Sequence, residues 1–103
     1  IQVSSNFERA LFDAYGRDGA AVAALMGELA QGGFRISQGA LQALRETFAS
    51  GRASEGETRA AIARTLAATG ELLCPHSAVG VHVAEAHLGS APMVTLATAH
   101  PAK

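Results

Sequence analysis

The 103-residue chain has no tryptophan, one cysteine, three prolines and a single lysine, and aromatic residues make up only 5% of it. One cysteine, Cys74, excludes an internal disulfide and suits a reducing compartment, so a cytoplasmic location is expected. With so few aromatic rings and 11 glycines, a core here must rest on close backbone approach rather than on large side chains. No apolar run approaches the roughly 20 residues needed to span a bilayer, which argues against a membrane partner. The formal net charge is −1 and the arginines are scattered, so there is no basic face for a nucleic acid.

Hydrophobic residues nevertheless make up 49% of the chain, enough for a packed core and too many for wholesale disorder. The length suits one small domain or a single segment, residues 1–103. "IQVSS" alternates apolar and polar residues as a short strand does. "SNFERALFDAYG" follows, with Ser5 and Glu8 spaced as a capping box; Phe7, Ala10, Leu11 and Ala14 share a helical face before Gly16. Asp18 caps a second helix with Val22, Leu25, Met26 and Leu29 on one stripe, stopped by Gly32 and Gly33. Ser37 caps a third, with Ala40, Leu41, Leu44 and Phe48 on one face, ending near Gly51. Ser54 and Glu57 form another capping box, and Ile62, Thr65, Leu66 and Thr69 line the fourth helix up to Gly70. Pro75 resets the chain, and His76 or Ser77 starts a fifth helix with Val79, Val83 and Ala86 on a common face. Gly80, inside it, costs about 1 kcal/mol against alanine and implies another backbone or a ligand close by. "PMVTLATA" reads as a final β-branched strand opening into a loop.

The expected fold is thus an α/β fragment, predominantly helical. It has about five helices and two short strands, near 1–5 and 93–97, running parallel across helical crossovers. Two strands alone make a poor sheet, so the remaining strands are expected from a longer chain. A start at Ile1, on a strand already under way, and a stop directly after "HPAK" fit the same expectation.

Few constellations carry chemistry by spacing. His82 and His87, five apart, lie about 140° apart on a helix, unlike the four-residue spacing of a zinc pair, so no metal site is expected. Cys74 lacks a C-x-x-C partner and is expected as a small buried residue ahead of a helix; His76 is adjacent in sequence only. Residues 37–50 and 54–69 could be misread as a DNA-binding helix-turn-helix. Glu55 and Glu57, however, stand at the end that would meet phosphates, and the pair reads better as an antiparallel helical hairpin. Two loops remain. Ser5 and Asn6, at a helix start after a strand, could meet an anion or simply cap the helix. Thr98 and His100 follow the second strand, where ligands of open α/β sheets gather, although an ordinary strand exit would look the same.

"VSSNFERALFDAYGRD", "PHSAVGV" and "LATAHPAK" resemble, in this order and over nearly all of the chain, the C-terminal part of bacterial and fungal threonine synthases. The resemblance implies a pyridoxal-phosphate lyase of the fold shared with tryptophan synthase β-subunits and serine dehydratases. Such an enzyme converts O-phosphohomoserine and water to threonine and phosphate, the last step of threonine biosynthesis. The cofactor is the electron sink and the protein supplies orientation and electrostatics. In this fold a Ser or Thr hydroxyl typically meets the pyridine nitrogen and leaves it largely unprotonated. The resemblance assigns that role to Thr98, with Thr95 as the alternative inside the strand, and places His100 in the same pocket. Ser5 and Asn6 become candidates for contacts near the cofactor or the substrate phosphate.

The chain departs from the family at two points. "CPHSAVG" stands where "DPHTAVG" is expected: Ser77 keeps a hydroxyl, whereas Cys74 removes a charge and with it a helix cap. The only lysine, Lys103, is out of context for the Schiff-base lysine, and no Gly-rich phosphate loop is present, so no catalytic residue is expected within the segment. Alone it is expected to be inactive, to bind no pyridoxal phosphate tightly, and to self-associate through faces meant for the rest of the synthase. The competing reading is a small helical interaction domain without catalysis.

Overall fold

The computed structural model describes residues 5–102. Five helices form among them: α1 (Ser5–Ala14), α2 (Gly19–Leu29), α3 (Gln38–Thr47), α4 (Glu55–Thr69) and α5 (Pro75–Glu85). The chain divides into two compact units, residues 1–49 and 50–103.

In the first unit α1 packs against both α2 and α3. Leu11, Leu25 and Ala40, one residue from each helix, are its buried apolar side chains among the described residues. Local chemistry sets the helix boundaries. α1 ends as a Schellman turn: the Arg17 N–H donates to the Phe12 carbonyl (2.7 Å) and the Gly16 N–H to that of Asp13 (3.0 Å). That turn needs left-handed backbone at Gly16 (φ 65°) and also at Arg17 (φ 67°), where glycine would fit better. The Asp18 carboxylate accepts from the N–H groups of Ala20 (2.9 Å) and Ala21 (3.1 Å), capping α2 as its position suggests. Ser37 caps α3 through the Ala40 N–H (3.2 Å), and its own N–H donates to the Tyr15 hydroxyl (2.9 Å), tying the start of α3 to the end of α1. The Ser5 side chain, and with it the expected Ser5–Glu8 capping box, lies outside the described part.

In the second unit α4 packs on α5. The capping box is complete: Ser54 Oγ accepts from the Glu57 N–H (3.3 Å), and Glu57 Oε2 accepts from the Ser54 N–H (2.7 Å). Those hydrogen bonds from Ser54, side chain first and backbone second, hold the Glu57 carboxyl below its usual range. Gly70 closes α4 in the left-handed conformation (φ 79°). The interface is built from small residues: Thr58 and Ala61 on α4, Ser77 and Ala78 on α5, all buried. Arg64 and Glu85 bridge the two helices at 2.8 Å along the exposed edge.

Two expectations need correction. No strand forms at 93–97; among the described residues there is none at all. Residues 92–98 are unpaired by any ladder, and Val94 and Leu96 are each 77% exposed. A strand exists only with a partner for its backbone groups, and no described segment offers one. The other expected strand, near 1–5, falls outside the described residues apart from Ser5, which opens α1. The expected hairpin of α3 with α4 would span the two units; within the second, α4 packs on α5. Finally, α4 buries Thr58 and Ala61 and half-buries Ile62 and Thr65, whereas Leu66 and Thr69 are exposed.

Candidate functional site

α5 opens on "CPHS", and this short stretch organises the most interconnected polar cluster of the second unit. Pro75 occupies the first turn, where its missing N–H costs nothing. Cys74 is the N-cap, and its sulfur accepts from the Ser77 N–H at 3.3 Å. Replacing an expected aspartate therefore keeps the cap, with sulfur as the acceptor. Cys74 is 2% exposed and Ser77 4% exposed. Their side chains meet, Sγ to Oγ, at 3.2 Å.

The tail completes the cluster. The Thr98 N–H donates to Ser77 Oγ at 3.1 Å across 21 residues of sequence. The Thr98 hydroxyl lies 3.5 Å from Ser77 Oγ and 3.7 Å from Cys74 Sγ, both long contacts. The backbone of Thr98 is thus firmly held, while its hydroxyl is only loosely engaged from inside and the residue remains exposed. Thr95 contributes by packing: its Cγ2 stands 3.2 Å from where a Cβ on Gly80 would lie. Gly80 was expected to face another backbone or a ligand; its neighbour is instead this side chain.

The electrostatics follow from the hydrogen bonds. The Ser77 hydroxyl and then the Ser77 N–H lower the Cys74 thiol from 9.0 to about 6, helped by the Thr98 hydroxyl and the His76 backbone and opposed by burial. These hydrogen bonds favour the ionised form of the thiol, the form that would match an aspartate in charge. Sequence reasoning left Cys74 as an inert buried residue. The signal that could have found its role is the spacing itself, a polarizable acceptor three residues before a serine with proline between.

The other expected site residues are placed as follows. His100 is exposed, and its Nδ1 accepts from the Ala102 N–H at 3.1 Å, folding the tail into a turn at 101–102. Asn6 is exposed on α1 and accepts from Arg9 Nη1 at 3.3 Å through Oδ1. Ser5 opens the same helix. Thr98 and His100 thus belong to one unit, and Ser5 and Asn6 to the other. Elsewhere His82 Nε2 stands 3.8 Å from Glu57 Oε1. Among the described residues no three His, Cys, Asp or Glu side chains gather as metal ligands. No helix among them is long and apolar enough to cross a membrane.

Comparison with known proteins covers both units. Residues 77–103, which include Ser77, Thr98 and His100, match the family model described as "Threonine synthase, C-terminal". Threonine synthase of Pseudomonas aeruginosa is 45% identical over 106 residues, covering 100% of this chain and 23% of that protein. The Corynebacterium glutamicum enzyme is 39% identical over 109 residues with the same coverage. The crystal structure of PLP-bound threonine synthase from Brucella melitensis superposes with a TM-score of 0.81 and 57% identity, over 99% of this chain and 22% of that one. The chain is similar to threonine synthases over its whole length. It belongs to the threonine synthases, and residues 77–103 belong to their C-terminal region. It spans under a quarter of the length of the relatives it matches.

Proposed function

We propose that the chain works as part of a threonine synthase, a lyase converting O-phospho-L-homoserine and water to L-threonine and phosphate. The 57% identity with the Brucella melitensis enzyme across both units supports this reading most strongly. The cofactor is pyridoxal phosphate, which supplies an electron sink when bound. All 103 residues serve the C-terminal part of the catalytic domain, in the cytoplasm, and their partners are the substrate and the rest of the synthase chain.

The residues present fit one end of that cofactor. A pyridine nitrogen kept unprotonated needs a neutral donor, and Thr98 offers an exposed hydroxyl whose internal contacts are all long. Thr98 hydrogen-bonds the ring nitrogen, and His100 lines the same pocket. Ser5 and Asn6 approach the cofactor or the substrate phosphate. The lysine that carries the cofactor and the loop that holds its phosphate come from other parts of the enzyme. The 103 residues alone are therefore inactive.

Phosphate release from O-phospho-L-homoserine by the full-length protein tests the reading. Turnover that needs added pyridoxal phosphate and falls in Thr98→Ala is the expected result. A full-length protein that binds the cofactor yet releases no phosphate overturns it.

A further inference from the structure

The Thr98 hydroxyl can serve a ring nitrogen only if its proton is not already spent inside the protein, and the neighbouring groups decide that. Ser77 Oγ accepts the Thr98 N–H at 3.1 Å. Ser77 has one proton of its own to give, and two acceptors compete for it. Cys74 Sγ lies at 3.2 Å, well within range for a contact to sulfur, whereas Thr98 Oγ1 lies at 3.5 Å, long for one between oxygens. The sulfur also accepts the Ser77 N–H, so it behaves as the acceptor of the cluster. The shorter contact, and the amide the sulfur already accepts, make sulfur the better acceptor for the Ser77 proton. Of the internal acceptors open to the Thr98 proton, Ser77 Oγ is long at 3.5 Å, and Cys74 Sγ at 3.7 Å already has the Ser77 hydroxyl nearer to it, at 3.2 Å.

We propose that Ser77 is the positioning residue for Thr98: it fixes the Thr98 backbone by accepting its amide and commits its own proton to Cys74, which leaves the Thr98 hydroxyl proton for an acceptor outside the chain. This rests on the reading of Thr98 as the ring-nitrogen contact. Ser77 touches neither cofactor nor substrate. Its influence runs through one strong hydrogen bond to a tail that no ladder holds. Cys74 is the anchor at the far end, capping α5 and orienting the Ser77 hydroxyl.

The test uses the full-length holoenzyme with Ser77→Ala, Ser77→Thr, Thr98→Val and the double variant Ser77→Ala/Thr98→Val. Three quantities are read: the pyridoxal phosphate dissociation constant, the absorption maximum of the bound cofactor across pH, and amide hydrogen exchange at Thr98 and Ala78. Ala78, whose N–H donates to the Cys74 carbonyl at 2.9 Å, reports whether α5 still folds. Ser77→Ala is expected to weaken cofactor binding about tenfold, the worth of one hydrogen bond. It should move the absorption maximum in the same sense as Thr98→Val and speed exchange at Thr98 but not at Ala78. Ser77→Thr, which keeps the hydroxyl, restores all three. The double variant should be no worse than Thr98→Val. The proposal is overturned if Ser77→Ala leaves affinity and spectrum unchanged while Thr98→Val alters both, or if the two effects multiply in the double variant. Should Ser77→Ala also free Ala78, Ser77→Cys, which keeps the size with a poorer acceptor, gives the same readouts, and wild-type values there overturn it. A silent Thr98→Val refutes the reading of Thr98 itself, and the proposal with it.

Discussion

Gly51 stands in the stretch before α4, and a Cβ added there would lie 2.8 Å from Val83 Cγ1, 3.0 Å from Cγ2 and 3.4 Å from Cβ. Carbon atoms prefer about 3.5–4.0 Å, so two methyl groups would be overlapped at once. Val83 cannot easily turn away. It is β-branched and helical, with one strongly preferred rotamer, and rotation would still leave one methyl toward Gly51. Overpacking of this kind costs about 1–3 kcal/mol. Removing a glycine from the unfolded chain returns about 0.4–1 kcal/mol. Gly51→Ala is therefore expected to destabilise the second unit by up to about 2.6 kcal/mol, about 1 kcal/mol at mid-range, the net of those two effects. Urea unfolding of the 103-residue chain measures this as a lower midpoint at unchanged slope. Val83→Ala removes both methyls, so in that background Gly51→Ala should become neutral or slightly stabilising, a coupling of at least about 1 kcal/mol. An equal cost in both backgrounds, or a stabilising Gly51→Ala in the wild-type chain, would refute the packing argument.

Three further outcomes follow from the same unit. The folded Cys74 thiol titrates at about 6 against an ordinary 9.0, so the stability it contributes is complete above the ordinary value and is lost as pH falls through about 6. The stability difference between wild type and Cys74→Ala should accordingly grow from pH 6 to 9 in thermal unfolding; a difference flat across that window contradicts the thiolate. Gly80→Ala should raise the unfolding midpoint, since helix propensity returns about 1 kcal/mol and the exposed Thr95 can give way. It should also speed amide exchange at Thr98, and a lower midpoint would show that Thr95 is fixed. The isolated segment exposes Leu88, Met93, Val94 and Leu96 and is expected to self-associate. Sedimentation velocity should show association that Val94→Asp with Leu96→Asp abolishes, and a clean wild-type monomer at high concentration would count against it.

Helix ends were readable from sequence because capping is local. Asp18, Ser37, the Ser54–Glu57 pair and Gly70 each act within four residues, and each stands where its chemistry predicts. The buried face of α4 was not readable, because an alanine-rich helix has small apolar residues all round and burial is decided by what α5 brings. The extended tail misled for a related reason. "MVTLA" has strand composition, but composition supplies no partner, and pairing is a property of two segments. Thr98 and His100 were singled out by their place after an apolar run and then by resemblance, and the structure places Thr98 in a cluster with Ser77 and Cys74. That cluster joins residues 21 and 24 apart, beyond any periodic pattern. Cys74 was undervalued because substitution of a carboxylate by a thiol reads as loss of the cap, and only the Ser77 N–H donated to its sulfur shows that the cap is kept.

The central claim is that Thr98 gives its hydroxyl proton to an unprotonated pyridine nitrogen in the full-length enzyme. The direct measurement is the ¹⁵N chemical shift of ring-labelled pyridoxal phosphate in the holoenzyme, wild type against Thr98→Val. An unprotonated, hydrogen-bonded nitrogen in the wild type that loses its hydrogen bond in the variant is predicted. A protonated nitrogen in the wild type, or a shift unchanged by the substitution, would contradict the account.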